Sequence, residues 1–137
     1  MAKLTGVDQA RYVQAMFSRI ASRYDLMNRL MTAGQDTRWR REVINKTQLP
    51  SDGRILDLGA GTGDLAREAE RHDPTSWVVA ADFTLNMMRV GRAQYTSTNL
   101  NWLAADALCL PVPNESFEAA VSGFLLRNVI DIDQCLR

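Results

Sequence analysis

The chain has 137 residues, of which 46% are hydrophobic and 23% charged, as in a single folded domain of ordinary size. No apolar stretch approaches the roughly 20 residues that cross a bilayer, and the mixed polar N-terminus is unlike a secretory signal peptide, so we expect a cytoplasmic protein. The net charge is zero but uneven: residues 1–50 carry nine basic and four acidic residues (+5), and residues 51–137 carry seven and twelve (−5).

The first 50 residues are predicted to form two helices. Apolar side chains recur at helical spacing from Asp8 to about Met31, with most arginines on the other side. A second helix is predicted from Arg38 to Lys46, capped by Asp36 or Thr37. The basic, methionine-rich character of this segment fits an anionic or membrane-surface partner. It fits equally well a solvated face with methionines filling the core.

From residue 51 the pattern changes to alternating strands and helices. The predicted elements are strands at Arg54–Leu58, Trp77–Ala81, Leu100–Ala104 and Phe117–Ser122, and helices at Asp64–His72, Leu85–Ala93 and from Asp131 onward. Strands separated by helices predict an α/β fold with a parallel sheet and flanking helices. Ligands of such sheets bind beyond the carboxyl ends of the strands.

Residues 55–66 read ILDLGAGTGDLA, a strand that runs through a glycine turn into a helix. Gly59, Gly61 and Gly63 permit a positive φ and let a ligand approach the main chain. A dinucleotide fingerprint wants Gly or Ala where Asp64 stands, and an acid there disfavours a pyrophosphate. The turn therefore predicts a nucleotide-type cofactor that is not strongly anionic.

Acids follow three successive predicted strands. Asp82 comes 21 residues after Gly61 and can accept hydrogen bonds from both hydroxyls of a ribose. Asp106 can accept a hydrogen bond from an adenine amino group, and Asp57 carries a charge that suits a cationic ligand. An adenosine with a cationic tail satisfies all three acids. The spacing of the two cysteines, Cys109 and Cys135, is not that of a metal or redox site, so we expect reduced thiols and no metal.

Longer stretches resemble a known family. DLGAGTGD, Asp82 and ADALCLP (105–111) resemble the motifs of class I S-adenosylmethionine-dependent methyltransferases. MFSRIASRYDLMNRLMTAGQDTRWRR (16–41) and FLLRNVIDIDQCLR (124–137) resemble the two signatures of the ubiquinone/menaquinone biosynthesis C-methyltransferases. The resemblance implies a Rossmann-like class I methyltransferase fold. Residues 1–50 would form a helical lid and substrate segment, and residues 51–137 an S-adenosylmethionine-binding domain that lacks the family's C-terminal strands.

The resemblance also implies an enzyme that methylates a ring carbon of a polyprenyl quinol, either demethylmenaquinol or a ubiquinone precursor. Two alternatives stay open: a truncated, non-catalytic cofactor-binding module, and a class I methyltransferase acting on another small molecule. A lipid substrate implies peripheral contact with the inner face of the membrane. The edge of the incomplete sheet implies a homodimer or pairing with another chain. Nucleic acid is not expected, because the aromatic residues are not interleaved with the basic ones.

The resemblance implies which residues bind the cofactor, and one departure from the family pattern predicts a narrower pocket on the substrate side. The implied S-adenosylmethionine site comprises Asp57, Gly59, Ala60, Gly61, Thr62, Gly63, Asp82, Phe83, Asp106 and Ala107. The family commonly has glycine where this chain has Leu125, so we expect a narrower pocket there.

The catalytic residues that the resemblance implies come from two segments. Arg127 and Asn128 would hold or polarise the acceptor oxygen, with the arginine acting electrostatically because it stays protonated. Tyr24, Asp25 and Asn28 would close over the site from the lid. The competing interpretations are core packing for the tyrosine and helix capping for the other two.

Overall fold

A computed structural model describes residues 6–24, 26–27, 32, 34–126 and 128–137 of the chain. The helices are α1 (Val7–Ile20), a 3-10 turn (Ala21–Arg23), α2 (Gln35–Thr47), α3 (Asp64–His72), α4 (Leu85–Gln94) and α5 (Ile132–Cys135). The strands are β1 (Arg54–Leu58), β2 (Trp77–Asp82), β3 (Leu100–Ala104) and β4 (Ala119–Val121). None of the helices in these described ranges has the length and apolarity needed to span a membrane.

The four strands form one parallel sheet in the order β3-β2-β1-β4. Ile55 of β1 lies opposite Val78 of β2 on one side and Ala119 of β4 on the other. The chain therefore builds outward from β1 to β3 and then returns to the opposite side of β1. The carboxyl end of β1 is thus the point where the strand order reverses, which is where open α/β sheets bind their ligands.

The core lies between the sheet and its helices. Ile55, Val78 and Ala80 in the middle of the sheet are at most 1% exposed. Leu65, Ala66 and Ala69 of α3 pack against them, and Ile44 of α2 belongs to the same cluster. The second helix of the N-terminal segment therefore shares its core with the sheet.

The bounds predicted for β1, α3 and β3 agree with the structure, whereas the first long helix does not. We predicted one helix from Asp8 to about Met31, but α1 ends at Ile20 and the 3-10 turn interrupts it. Tyr24, Leu26 and Met27 are helical again, as predicted. The tighter turn buries Ala21, which is 4% exposed and lies in the turn that contacts α4. Residues 28–31 lie outside the described ranges.

The predicted cap of the second helix is also wrong. The helix begins at Gln35, after Gly34 with a φ of 78°, and no side chain caps it. Asp36 instead pairs with Arg40 one turn later, and the Thr37 hydroxyl donates to the Gly34 carbonyl at 2.9 Å. The Asp36 carboxylate, which we expected to cap the helix, therefore forms an ion pair within the helix.

The fourth strand is shorter than the predicted Phe117–Ser122. It covers only Ala119–Val121. Just before it, the Glu118 carboxylate accepts the backbone N–H of Arg54 at 2.5 Å and pairs with its guanidinium at 2.6 Å. The Glu118 N–H also donates to the Arg54 carbonyl at 2.9 Å, so the backbone and the side chain of this residue both bind the start of β1.

Both cysteines are free thiols, with Cys109 exposed and Cys135 half-buried. Within the described ranges, no cluster of three or more His, Cys, Asp or Glu side chains is arranged to hold a metal ion.

Candidate active site

The glycine turn after β1 is the centre of the site. Gly59, Gly61 and Gly63 have φ values of 72°, 58° and 83°, in the left-handed region that side chains avoid. The N–H groups of Gly59 and Ala60 both donate to the carbonyl of Ala81, at 2.8 and 3.0 Å. The turn is therefore fastened to the carboxyl end of β2, and the predicted need for glycine is confirmed by the backbone angles.

Asp82, at the end of β2, is joined to this turn through its carboxylate. Its Oδ2 accepts the N–H of Gly61 at 2.8 Å, and its Oδ1 accepts the N–H of Thr84 at 2.7 Å. The residue is 9% exposed. Each carboxylate oxygen has a second lone pair, so the group can still accept hydrogen bonds from a diol.

Asp57 is the second acid beside the turn and is almost fully buried. Its Oδ2 accepts the N–H of Ala66 at 2.9 Å, whereas its Oδ1 has no hydrogen-bond partner. Burial raises the pKa of the Asp57 carboxyl to about 7, although the hydrogen bond from the Ala66 N–H lowers it. The negative charges of Asp82 and Asp64 also raise this pKa, and the positive charge of Arg40 lowers it. An orphaned buried carboxylate oxygen suits a cationic ligand group.

Two cavities open around the turn. The larger has a volume of about 400 Å³, within the range of small-molecule sites, and the smaller has about 50 Å³. Predicted cofactor residues on the larger cavity are Asp57, Gly59, Ala60 and Thr62. Those on the smaller cavity are Gly59, Gly61, Asp82 and Phe83. Most of the predicted cofactor set therefore converges on one region.

Three predicted cofactor residues, Gly63, Asp106 and Ala107, line neither cavity. Gly63 precedes α3, where an added Cβ would lie 2.5 Å from Cη2 of Trp102, so the glycine permits this close packing. Asp106 is exposed, and its Oδ1 accepts the N–H of Leu108 at 2.9 Å within a local turn.

Tyr24 and Asn128, two of the predicted catalytic residues, reach the site from different elements. Tyr24 lines the larger cavity, and its ring packs edge-on against Phe17 with centroids 5.8 Å apart. Asn128 lines the smaller cavity, and its Nδ2 donates to the carbonyl of Phe124 at 3.2 Å. The remaining predicted residues of this group lie outside the described ranges: Asp25, Asn28 and Arg127.

An ion-pair network that was not predicted from the sequence lies on the larger cavity. Nη2 of Arg40 lies 3.1 Å from Oδ2 of Asp36 and 2.9 Å from Oδ2 of Asp64. All three residues line the cavity, and their side chains are at most 20% exposed. The i,i+4 spacing on α2 offered a signal for the first pair. The second pair joins α2 to the N-terminus of α3 and has no local signal.

Comparison with known proteins identifies the family. A model of the ubiE/COQ5 methyltransferase family matches residues 4–137. This chain belongs to that family. The resemblance read from residues 16–41 and 124–137 is confirmed.

Relatives within the family are substantially longer than this chain. It is 47% identical over 129 residues to a demethylmenaquinone methyltransferase of Roseiflexus castenholzii, covering 94% of this chain and 54% of that protein. It is 44% identical over 124 residues to a ubiquinone/menaquinone biosynthesis C-methyltransferase UbiE of Desulfotalea psychrophila, covering 90% and 50%. The chain therefore spans about half the length of these curated relatives.

Solved structures confirm the Rossmann-like class I methyltransferase fold. A putative S-adenosyl-L-methionine-dependent methyltransferase of Methanococcus maripaludis matches with a TM-score of 0.76 at 17% identity, covering 100% of this chain and 60% of that one. An S-adenosylmethionine-dependent methyltransferase of Mesorhizobium loti matches with a TM-score of 0.58 at 33% identity, covering 67% and 43%.

Proposed function

We propose that this chain binds S-adenosylmethionine and forms the cofactor-binding part of a methyltransferase that acts on a ring carbon of a polyprenyl quinol. One observation carries the proposal: the glycine turn lies between two buried acids, and each acid suits a different part of the cofactor. Asp82 offers a carboxylate to the ribose hydroxyls, and the unpartnered Oδ1 of Asp57 offers a charge to the cationic tail. The names of the family and of its relatives support the quinol as acceptor.

S-adenosylmethionine carries its methyl group on a positively charged sulfur, so the donor is already reactive and the protein need not activate it. The task of the site is to align donor and acceptor and to exclude water. α1 covers the smaller cavity with Val13 and Phe17, and Nε2 of Gln14 ties it down by donating to the carbonyl of Phe83 at 2.9 Å. This contact supports the role of the N-terminal segment as a lid.

The acceptor requires a group that stabilises a phenolate, because a ring carbon becomes nucleophilic when a neighbouring hydroxyl loses its proton. We assign this to Asn128, on the wall of the smaller cavity, together with Arg127. The arginine supplies a fixed positive charge and the asparagine a hydrogen bond. Tyr24 would exclude water from the larger cavity, and Asp25 would act from the same lid segment.

Transfer of a labelled methyl group from S-adenosylmethionine tests this function. The chain is incubated with demethylmenaquinol, a ubiquinone precursor and a panel of simple phenols, with Asp82→Ala as the inactive control. Methylated demethylmenaquinol or benzoquinol in the wild type alone supports the quinol acceptor. Methylation of the phenols but not of the quinols favours a different small-molecule acceptor. Donor binding without any product favours a non-catalytic module, since the chain spans about half of its relatives.

We also propose that α1 rests on a membrane surface that contains the quinol. Tyr12 and Met16, one turn apart on the same side of α1, are 60% and 37% exposed, and residues 1–50 carry a net charge of +5. These exposures count against ordinary core packing for Met16. Flotation with anionic vesicles should carry the chain upward at low salt and less at high salt, and Tyr12→Glu should reduce it. Absence of flotation at low salt would contradict membrane contact.

The free edge of β4 supports pairing with a second chain. Its ladder partner among the described residues is β1, so Ala119–Val121 present one unpaired side. A homodimer through this edge would appear by light scattering at high concentration. Ala120→Lys, which places a charge on the exposed residue of that edge, should return it to a monomer. A wild type that stays monomeric would contradict the pairing.

A further inference from the structure

The two cavities of the site lie side by side and share part of their walls. Gly59, Gly123 and Phe124 line both of them. The smaller cavity, beside Asp82, has about 50 Å³, far below the roughly 300–1,000 Å³ of typical small-molecule sites. A cavity of that volume does not enclose a nucleoside, so a ligand that reaches both Asp82 and Asp57 must extend past the wall that the two cavities share.

Leu125 lies at that boundary. Its side chain packs directly on the backbone of Gly59: a Cβ built at Gly59 would lie 2.8 Å from Cδ1, 2.9 Å from Cβ and 3.2 Å from Cγ of Leu125. The leucine also lines the smaller cavity. The side chain thus fills the space over the glycine that both cavities have in common.

The backbone around Leu125 is held in an unfavourable conformation. Phe124 has a φ of 67°, which costs a bulky side chain free energy, and its ring is exposed. The preceding Gly123 would have nothing within 4 Å of an added Cβ, so its side of the chain is open. Asn128 holds the segment through its N–H, which donates to the Leu125 carbonyl at 2.8 Å, and through its side chain on the Phe124 carbonyl.

We propose that Leu125 is a gate between the cavities, closed over Gly59 in this structure, and that it must swing away before S-adenosylmethionine can occupy both. The inference rests on the proposed function. It makes Leu125 a determinant of donor affinity and of the association rate, because only the fraction of molecules with the gate open can bind. The residue takes no part in the chemistry.

Leu125→Ala tests the gate. Titration calorimetry and stopped-flow fluorescence measure the dissociation constant and the association rate of S-adenosylmethionine, with adenosine as a second probe for the smaller cavity. Displacing one side chain from a preferred rotamer corresponds to a factor of about two to ten, so Leu125→Ala should bind both probes about two- to tenfold more tightly. The gain should appear mainly as faster association. Leu126→Ala is the matched control, since Leu126 lines neither cavity and is 41% exposed.

Leu125→Phe gives the opposite perturbation and keeps the test decisive if the alanine variant folds poorly. A larger side chain over Gly59 should weaken binding by more than about twofold. Two results would overturn the gate but leave the proposed function standing. One is an affinity and an association rate within twofold of the wild type in both variants. The other is weaker binding by a folded Leu125→Ala. Failure of all folded variants, including the wild type, to bind would overturn the gate and the proposed function together.

Discussion

Gly91 offers a test in which local helix propensity and tertiary packing predict opposite signs. It lies in the interior of α4, where replacing glycine by alanine ordinarily stabilises a helix by about 1 kcal/mol. Here an added Cβ would lie 2.8 Å from the carbonyl carbon of Thr62, closer still to the carbonyl oxygen, and against the indole of Trp102. The Thr62 backbone belongs to the glycine turn and cannot rotate away as a flexible side chain would. Overpacking of this kind costs about 1–3 kcal/mol, so Gly91→Ala should lower the free energy of unfolding despite its better propensity.

Urea denaturation followed by circular dichroism measures this difference. We expect Gly91→Ala to unfold at a lower midpoint with an unchanged slope, and to bind S-adenosylmethionine more weakly because the glycine turn is pushed aside. Gly123→Ala is the control, since an added Cβ there meets nothing within 4 Å and its effect should stay within about 0.5 kcal/mol. A Gly91→Ala variant that is more stable than the wild type would refute the close packing of α4 on the turn.

Two further substitutions address the charges around the larger cavity. Arg40→Gln leaves the carboxylates of Asp36 and Asp64, whose side chains are only 8% and 11% exposed, without this cation. It should destabilise the chain by about 3 kcal/mol in urea, whereas Arg38→Gln, which removes an exposed i,i+4 pair from the same helix, should cost less than about 1 kcal/mol. Equal losses would contradict the network. Because burial raises the folded-state pKa of the Asp57 carboxyl to about 7, above its ordinary value, the folded state holds a proton that the unfolded state releases. The free energy of unfolding of the wild type should therefore rise relative to Asp57→Asn as the pH falls from about 7 to about 5.5, by at most about 1.4 kcal/mol per pH unit. A difference that does not change with pH would contradict the raised pKa.

The parts of the fold that depend on neighbours in sequence were predictable. β1, the glycine turn and α3 follow from an apolar run, three glycines and an amphipathic stretch within 20 residues, and their bounds agree with the structure. The parallel sheet followed from the alternation of strands and helices. The break after Ile20 was missed because the helical spacing continues through it, and the tight turn is favoured by burial of Ala21 in the tertiary structure.

The residues of the site were likewise predictable only where the signal lies close together in the sequence or follows a known spacing. Asp82 was predicted from its distance to Gly61, and the structure joins these two residues directly. Arg40 was missed because its partner Asp64 is 24 residues away on another helix. Asp106 accepts a bond within a local turn, which an aspartate after a strand also suits, and its bond to an adenine amino group stays a prediction.

Titration of the chain with S-adenosylmethionine, repeated for Asp82→Ala, tests the cofactor site most directly. We predict binding in the micromolar range by the wild type and a loss of at least about tenfold in the variant, since the carboxylate both accepts the ribose hydroxyls and holds the turn through Gly61. Circular dichroism establishes that both proteins are folded. A folded wild type that releases no heat on titration, or a variant that binds as tightly as the wild type, would contradict the assignment of this turn to S-adenosylmethionine.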